Sequence, residues 1–224
     1  MAGYPVILDL HGRLAVVVGG GTVGRRKAAG LLAAGARVRL ISIDPVPAGC
    51  WLEPVELRLR EFHPDDLDGA VLAFAATGLE AVDRAVLTAA RARGIPANLA
   101  GDPEAGDFTL PAVLRQGELL LAIATGGRAP ALAAVVRDRL AVDFGPEWAL
   151  VAAIAARLRT EKLTESDKNI YSHKVLTDLL DSGLPDLLAR RDLPGIDHLL
   201  TRVCGRETTL AGLGLTLPDL TYDS

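Results

Sequence analysis

Gly19, Gly21 and Gly24 stand at the spacing Gly-x-Gly-x-x-Gly, between an apolar run and a helical stretch. Each glycine has its own task in such a loop. The first allows a sharp turn from strand to helix. The second leaves no Cβ where a phosphate must approach backbone N–H groups, and the third permits close packing of helix on strand. The helix that follows presents free N–H groups and a partial positive charge to the anion. The chemistry implied is capture of a pyrophosphate. Asp44 arrives 20 residues after Gly24, where a carboxylate can accept ribose hydroxyls, so the expected ligand is a nicotinamide dinucleotide. Asp44 reads equally well as a solvated loop aspartate. No arginine immediately follows the second strand to receive a 2′-phosphate, which favours NAD over NADP.

A second glycine site, Thr125-Gly126-Gly127-Arg128, resembles an anion-binding nest ahead of a helix; an ordinary turn fits as well. Around it Arg115, Arg128, Arg137 and Arg139 face only Glu118 and Asp138, in a chain of net charge −4. That local excess suits a ligand bearing carboxylates, or simply a solvated helix face. Cys50 and Cys204 lie far apart, and His11, His63, His173 and His198 form no His-x-x-x-His pair. Neither a disulfide framework nor a zinc site is expected. An acidic chain with 4% aromatic residues argues against a nucleic-acid partner. No apolar run reaches the ~18 residues of a membrane span, and Met1–Leu10 lacks the basic stretch and apolar core of a signal peptide. The expectation is a cytoplasmic chain with no membrane or nucleic-acid partner.

These residues need a scaffold, and the pattern along the chain supplies one. Residues 14–18 (Leu-Ala-Val-Val-Val) read as a buried parallel strand, and 22–34 as a helix with Arg25, Arg26 and Lys27 exposed, ended by Gly35. Residues 37–43 are a second strand, 44–54 a proline-bearing loop, and 55–59 a third strand. A further strand at 71–76, a helix at 80–93 and a short strand at 97–100 complete an alternation that means a parallel doubly wound sheet. After residue 107 the pattern changes. Strands are expected over 108–114 and 119–124, then a helix from Pro130. From Pro146 onward the spacing is helical, broken around Gly183-Leu184-Pro185 and Leu193-Pro194-Gly195.

Several blocks together carry a resemblance. Val16-Val17-Val18-Gly19-Gly20-Gly21-Thr22-Val23-Gly24-Arg25-Arg26-Lys27 is followed by Ala75-Ala76-Thr77, Asn98-Leu99-Ala100-Gly101-Asp102-Pro103, Asp107-Phe108-Thr109-Leu110-Pro111-Ala112, and the run from Ala124 to Ala133 with Arg137. In this order the blocks resemble the precorrin-2 dehydrogenases, the first module of siroheme synthases, over roughly residues 5–142. The resemblance implies NAD-dependent oxidation of precorrin-2 to sirohydrochlorin by a homodimer. It also implies an α/β chain divided into a Rossmann-like NAD-binding domain (1–112), a dimerisation segment (113–145) and a helical C-terminal domain (146–224). Carried over by position, Gly19, Gly21, Thr22, Val23, Gly24, Ile43 and Asp44 would line NAD, with Thr77 and Asn98 on its nicotinamide side. Thr125 would supply a pocket hydroxyl. Arg115, Gly126, Gly127, Arg128 and Arg137 would meet the carboxylates of the tetrapyrrole.

One position departs from the family's pattern. Many members carry two aspartates at the turn, the first proposed as catalytic; here that place is Gly101 and only Asp102 remains. Oxidation extends conjugation in the macrocycle, and its proton can go to water. Metal insertion requires pyrrole protons to leave, where a carboxylate has a clearer task. The expectation is a dehydrogenase that chelates iron poorly and passes its product to a separate chelatase. The rival readings are a bifunctional dehydrogenase and ferrochelatase, and a non-catalytic nucleotide-sensing module that would have no need of the Thr125 nest.

Overall fold

The computed structural model describes residues 3–46, 55–102, 104–162, 173–205 and 208–217. Most of the expected 44–54 loop, with Cys50, lies outside the described residues, as does Pro103. The described chain forms two compact units, Met1–Leu110 with Gly126–Arg128, and Pro111–Thr125 with Ala129–Ser224.

The first unit is a five-stranded parallel sheet in the order β3-β2-β1-β4-β5: β1 (Leu14–Val18), β2 (Arg37–Ser42), β3 (Val55–Leu59), β4 (Ala70–Ala75) and β5 (Ala97–Leu99). All five residues of β1 are buried because both neighbours pair with it, Val17 lying between Leu40 and Phe74. Strand alternation then divides the core. Ala15, Val17, Val38, Leu40, Leu72 and Phe74 face α1 (Thr22–Ala33), through its Ala28 and Leu31. Val16, Val18, Ile41, Ala73 and Ala75 face α2 (Glu80–Ala92), through Val86, Leu87 and Ala90. Each such side chain, once buried, contributes about 1.5–3 kcal/mol of transfer free energy if it is a valine, leucine or phenylalanine. The strand order reverses between β1 and β4, which leaves a crevice at the carboxyl ends of those strands.

One polar cluster braces this sheet. Asp66, fully buried in a short 3-10 turn (Pro64–Leu67), accepts from Arg58, from both Nη atoms of Arg60 (2.6 and 2.8 Å) and from the His63 N–H (2.8 Å). Arg39 of β2 donates to the Asp66 carbonyl and lies 2.9 Å from Glu56. Burial pushes the Asp66 carboxyl up, but the hydrogen bonds from Arg60, the His63 amide and Arg58 outweigh it and hold the group at about 2.

In the second unit β6 (Ala112–Gln116) and β7 (Leu119–Ile123) form an antiparallel hairpin, followed by α3 (Pro130–Asp143), with proline in its first turn as expected. The first of these strands begins later than residue 108. Phe108 is instead held in the first unit, its ring edge-on to Phe74 with centroids 5.5 Å apart, and pairing starts where Ile123 lies opposite Ala112. Among the described residues four more helices follow: α4 (Trp148–Lys162), α5 (His173–Asp181), α6 (Leu184–Ala189) and α7 (Leu193–Cys204). Leu150, Ile154 and Leu158 of α4 meet Leu179, Leu188, Ile196 and Leu200 in one core. The proline pairs read as breaks are helix starts. Leu184-Pro185 and Leu193-Pro194 open α6 and α7, where a missing N–H costs nothing, and Asp192 caps α7 by accepting from the Gly195 N–H. Among the described residues no helix is long and apolar enough to cross a membrane.

Candidate functional site

The glycine loop leaves β1 at the crevice. Gly19 has φ +115°, and a Cβ there would collide with the Ala76 carbonyl at the end of β4. A Cβ on Gly24 would collide with the carbonyl of Gly19, so both glycines exist for backbone packing. Gly21 differs: nothing lies within 4 Å of the position its Cβ would take. It is the N-cap of α1, has no side-chain cap, and is followed by a first turn without an acidic residue. The N–H groups of the opening turn therefore have no capping side chain, and Arg25 and Arg26 follow within the next turn. Basic residues at this end oppose the helix dipole, and an anion would relieve both. The cradle fits a pyrophosphate.

Gly20 had no assigned task in the sequence, and the structure supplies one. A side chain there would strike Ser42 at the end of β2. Ser42 Oγ in turn donates to the Asp44 carbonyl (2.7 Å) and accepts the Asp44 N–H (3.2 Å). This turn puts Ile43, 62% exposed, and the Asp44 carboxylate in solvent beside the loop. Thr22 and Val23 are exposed as well. Gly19, Gly21, Thr22, Val23, Gly24, Ile43 and Asp44 thus gather at the carboxyl ends of β1 and β2, the edge where a dinucleotide lies in this fold.

The β4 turn adjoins Gly19, and here a residue missed by sequence reading does the holding. Asp83 of α2 is buried and accepts from the Thr77 N–H (3.0 Å), the Thr77 hydroxyl (2.7 Å) and the Gly78 N–H (3.1 Å). The Thr77 hydroxyl also accepts from the Leu79 N–H (3.0 Å), which leaves one lone pair for a ligand. An acidic residue in the first turn of a helix that follows Thr-Gly was the available signal.

Asn98 is also buried, and both ends of its amide are engaged. Its Oδ1 accepts from Lys27 Nζ (2.8 Å) and its Nδ2 donates to the Phe108 carbonyl (2.9 Å). Lys27 is not the exposed residue expected from the helix pattern. It is half-buried, its ammonium 5.2 Å from the centroid of the Phe74 ring. Burial, and then the charge of Arg26, lower its pKa.

Beyond β5 the turn exposes Gly101 and Asp102. Gly101 has φ +97°, with open space where a Cβ would stand. Asp102 Oδ1 accepts from the Glu104 and Ala105 N–H groups (3.0 and 3.2 Å), leaving Oδ2 free of partners among the described residues. Gly126, Gly127 and Arg128 group with this first unit, while Arg115, Thr125 and Arg137 belong to the second. Gly126 and Gly127 both have positive φ, and the Thr125 hydroxyl accepts the Ala129 N–H (3.2 Å) ahead of α3. Arg115 and Arg128 are exposed. Arg137 is tied through Nε and Nη2 to Asp138 (2.8 and 2.6 Å), an exposed pair that a ligand carboxylate can replace at little cost.

Fold and loop together define a dinucleotide-binding α/β protein. Residues 6–112 match a family model described as "Putative NAD(P)-binding". In sequence the chain is similar to Siroheme synthase 1 of Halorhodospira halophila, 36% identical over 203 residues, covering 88% of this chain and 42% of that one. It is also 36% identical to the siroheme synthase of Nitrosomonas eutropha over 229 residues, covering 97% and 48%. The chain spans about half the length of the curated relatives it matches. Among solved structures it is similar to "SirC, precorrin-2 dehydrogenase", with a TM-score of 0.69 and 23% identity over 90% of this chain and 98% of that one. In sequence the chain is similar to about half the length of the siroheme synthases, and it shares the fold of the SirC structure.

Proposed function

We propose that this chain catalyses the NAD-dependent oxidation of precorrin-2 to sirohydrochlorin. The observation that carries the reading is the open cradle at Gly21, framed by two glycines that cannot change and facing uncapped helix N–H groups. The similarity to siroheme synthases and to the SirC fold supports the tetrapyrrole as substrate. NAD bound here supplies the hydride acceptor. The N–H groups after Gly21 bind its pyrophosphate, Asp44 accepts from its ribose, Ile43 and Val23 cover its apolar surface, and the Thr77 turn orients the nicotinamide end. Arg128, with the Gly126–Gly127 turn of the first unit, provides charge and hydrogen bonds for the substrate's carboxylates. Asp102 Oδ2, free of partners among the described residues, can receive a proton, and water can serve the same purpose.

Two further readings belong to this proposal. The chain works as a homodimer in the cytoplasm, its second copy covering the exposed Leu132, Val135 and Val142 of α3. It also inserts iron poorly, because a glycine stands where the first carboxylate of the turn would be. Purified chain given NAD and precorrin-2 should show the absorbance change of sirohydrochlorin formation. Tight NAD binding with no spectral change would instead favour a sensor. Given sirohydrochlorin and Fe²⁺ without NAD, the protein should form siroheme only slowly, and rapid formation would refute the chelatase reading. Gly101→Asp should raise chelation more than oxidation, against about 1 kcal/mol of backbone strain from the left-handed φ.

A further inference from the structure

We propose that Lys27 is a positioning residue that ties the helix carrying the phosphate loop to the strand and turn at the nicotinamide end of the site, an inference that rests on the nucleotide-binding reading above. Lys27 starts on α1, which follows β1, on one side of the crevice. Its side chain crosses the Phe74 ring of β4 and ends at Asn98 on β5, on the other side. Helical side chains lean toward the helix N-terminus, and α1 runs antiparallel to the strands, so the ammonium is carried toward their carboxyl ends.

Asn98 passes the constraint on. With Oδ1 held by the ammonium and Nδ2 by the Phe108 carbonyl, its amide has one orientation that satisfies both bonds. Phe108 is then fixed twice, by this bond and by its edge-on contact with Phe74. The segment between Asn98 and Phe108, which contains Gly101 and Asp102, is thus anchored at one end to Lys27 of α1 and at the other to Asn98 and Phe74.

Among the described residues Lys27 forms no ion pair. A half-buried cation held only by an amide and a ring is poorly compensated, and burial disfavours its charge. A core that needed only packing would be served there by leucine or methionine. What the ammonium adds is a directional bond between two elements that a single dinucleotide must span. Removing it should loosen the nicotinamide end and leave the phosphate end intact.

NAD and ADP separate these two ends, since ADP carries only the adenosine and phosphate half. Lys27→Met keeps the apolar stem over Phe74 and removes the charge. By titration calorimetry it should bind NAD about tenfold more weakly while ADP affinity stays within about twofold, and Lys27→Arg should recover most of the NAD affinity. Lys27→Gln, which keeps a donor and tolerates partial exposure, should give a smaller split in the same direction and replaces the methionine variant should that fail to fold. Equal weakening of NAD and ADP, or no change in either, would overturn the bracing role alone. A wild-type protein that binds neither nucleotide would overturn the nucleotide reading and this inference with it.

Discussion

At Gly19 and Gly24 the absent Cβ is a requirement of folding, because each would be driven into a backbone carbonyl. At Gly21 the same absence faces open space, which leaves room for a phosphate beside the helix N-terminus. The three glycines of one motif therefore separate by experiment. Gly24→Ala should destabilise the protein by about 2–4 kcal/mol. Gly21→Val should leave the thermal midpoint nearly unchanged and weaken NAD binding at least tenfold, about 1.4 kcal/mol or more. Thermal melts run beside NAD titrations check both. Equal losses of stability in the two variants would contradict the assignment. Asn98 shows the opposite case. Its amide is engaged within the protein, with Lys27 and Phe108, and keeps one further lone pair and one further N–H.

Among the elements, β3 depends on a charge cluster rather than apolar packing, and the 3-10 turn joins that cluster to the core through its buried Leu67. β3 has no fully buried residue, and its Arg58, with Arg60 just beyond it, converges on Asp66. Asp66→Asn removes the one carboxylate that both guanidinium groups share, and should cost about 2–3 kcal/mol, the low end for a broken buried pair because both arginines reach solvent. The sign of the pH effect follows from the carboxyl held at about 2, below its ordinary 3.8. The unfolded chain takes up this proton more readily than the folded one. The stabilisation is therefore complete above pH ~5 and is lost as pH falls through 4 toward 2. Denaturant melts from pH 6 to 2.5 should show that decline in the wild type and a flatter one in Asp66→Asn. Identical profiles would remove Asp66 from the account.

For the whole molecule, a two-stranded hairpin is marginal by itself, and α3 buries only Ala133 while Leu132, Val135 and Val142 stay exposed. If a second copy covers this face, Leu132→Glu with Val135→Lys should convert a dimer to a monomer by light scattering, with the NAD-binding unit still folded. A wild-type monomer would refute the dimer. The parallel sheet, both central helices and the phosphate loop were legible in the sequence, because each depends on residues close together in the chain: a β-branched run, a helical stripe, glycines at fixed spacing. The proline pairs misled because proline marks a helix's first turn as readily as its end. Lys27 sits among arginines and gave no sign of burial, and Phe108 read as part of a strand. Their positions depend on Phe74 and Asn98, brought near only when β4 and β5 pair. Local spacing thus determined where a nucleotide's phosphates can go. Only the tertiary structure decided which side chains hold the other end of the crevice, since those contacts join residues 71 apart in sequence and no pattern of neighbours encodes them.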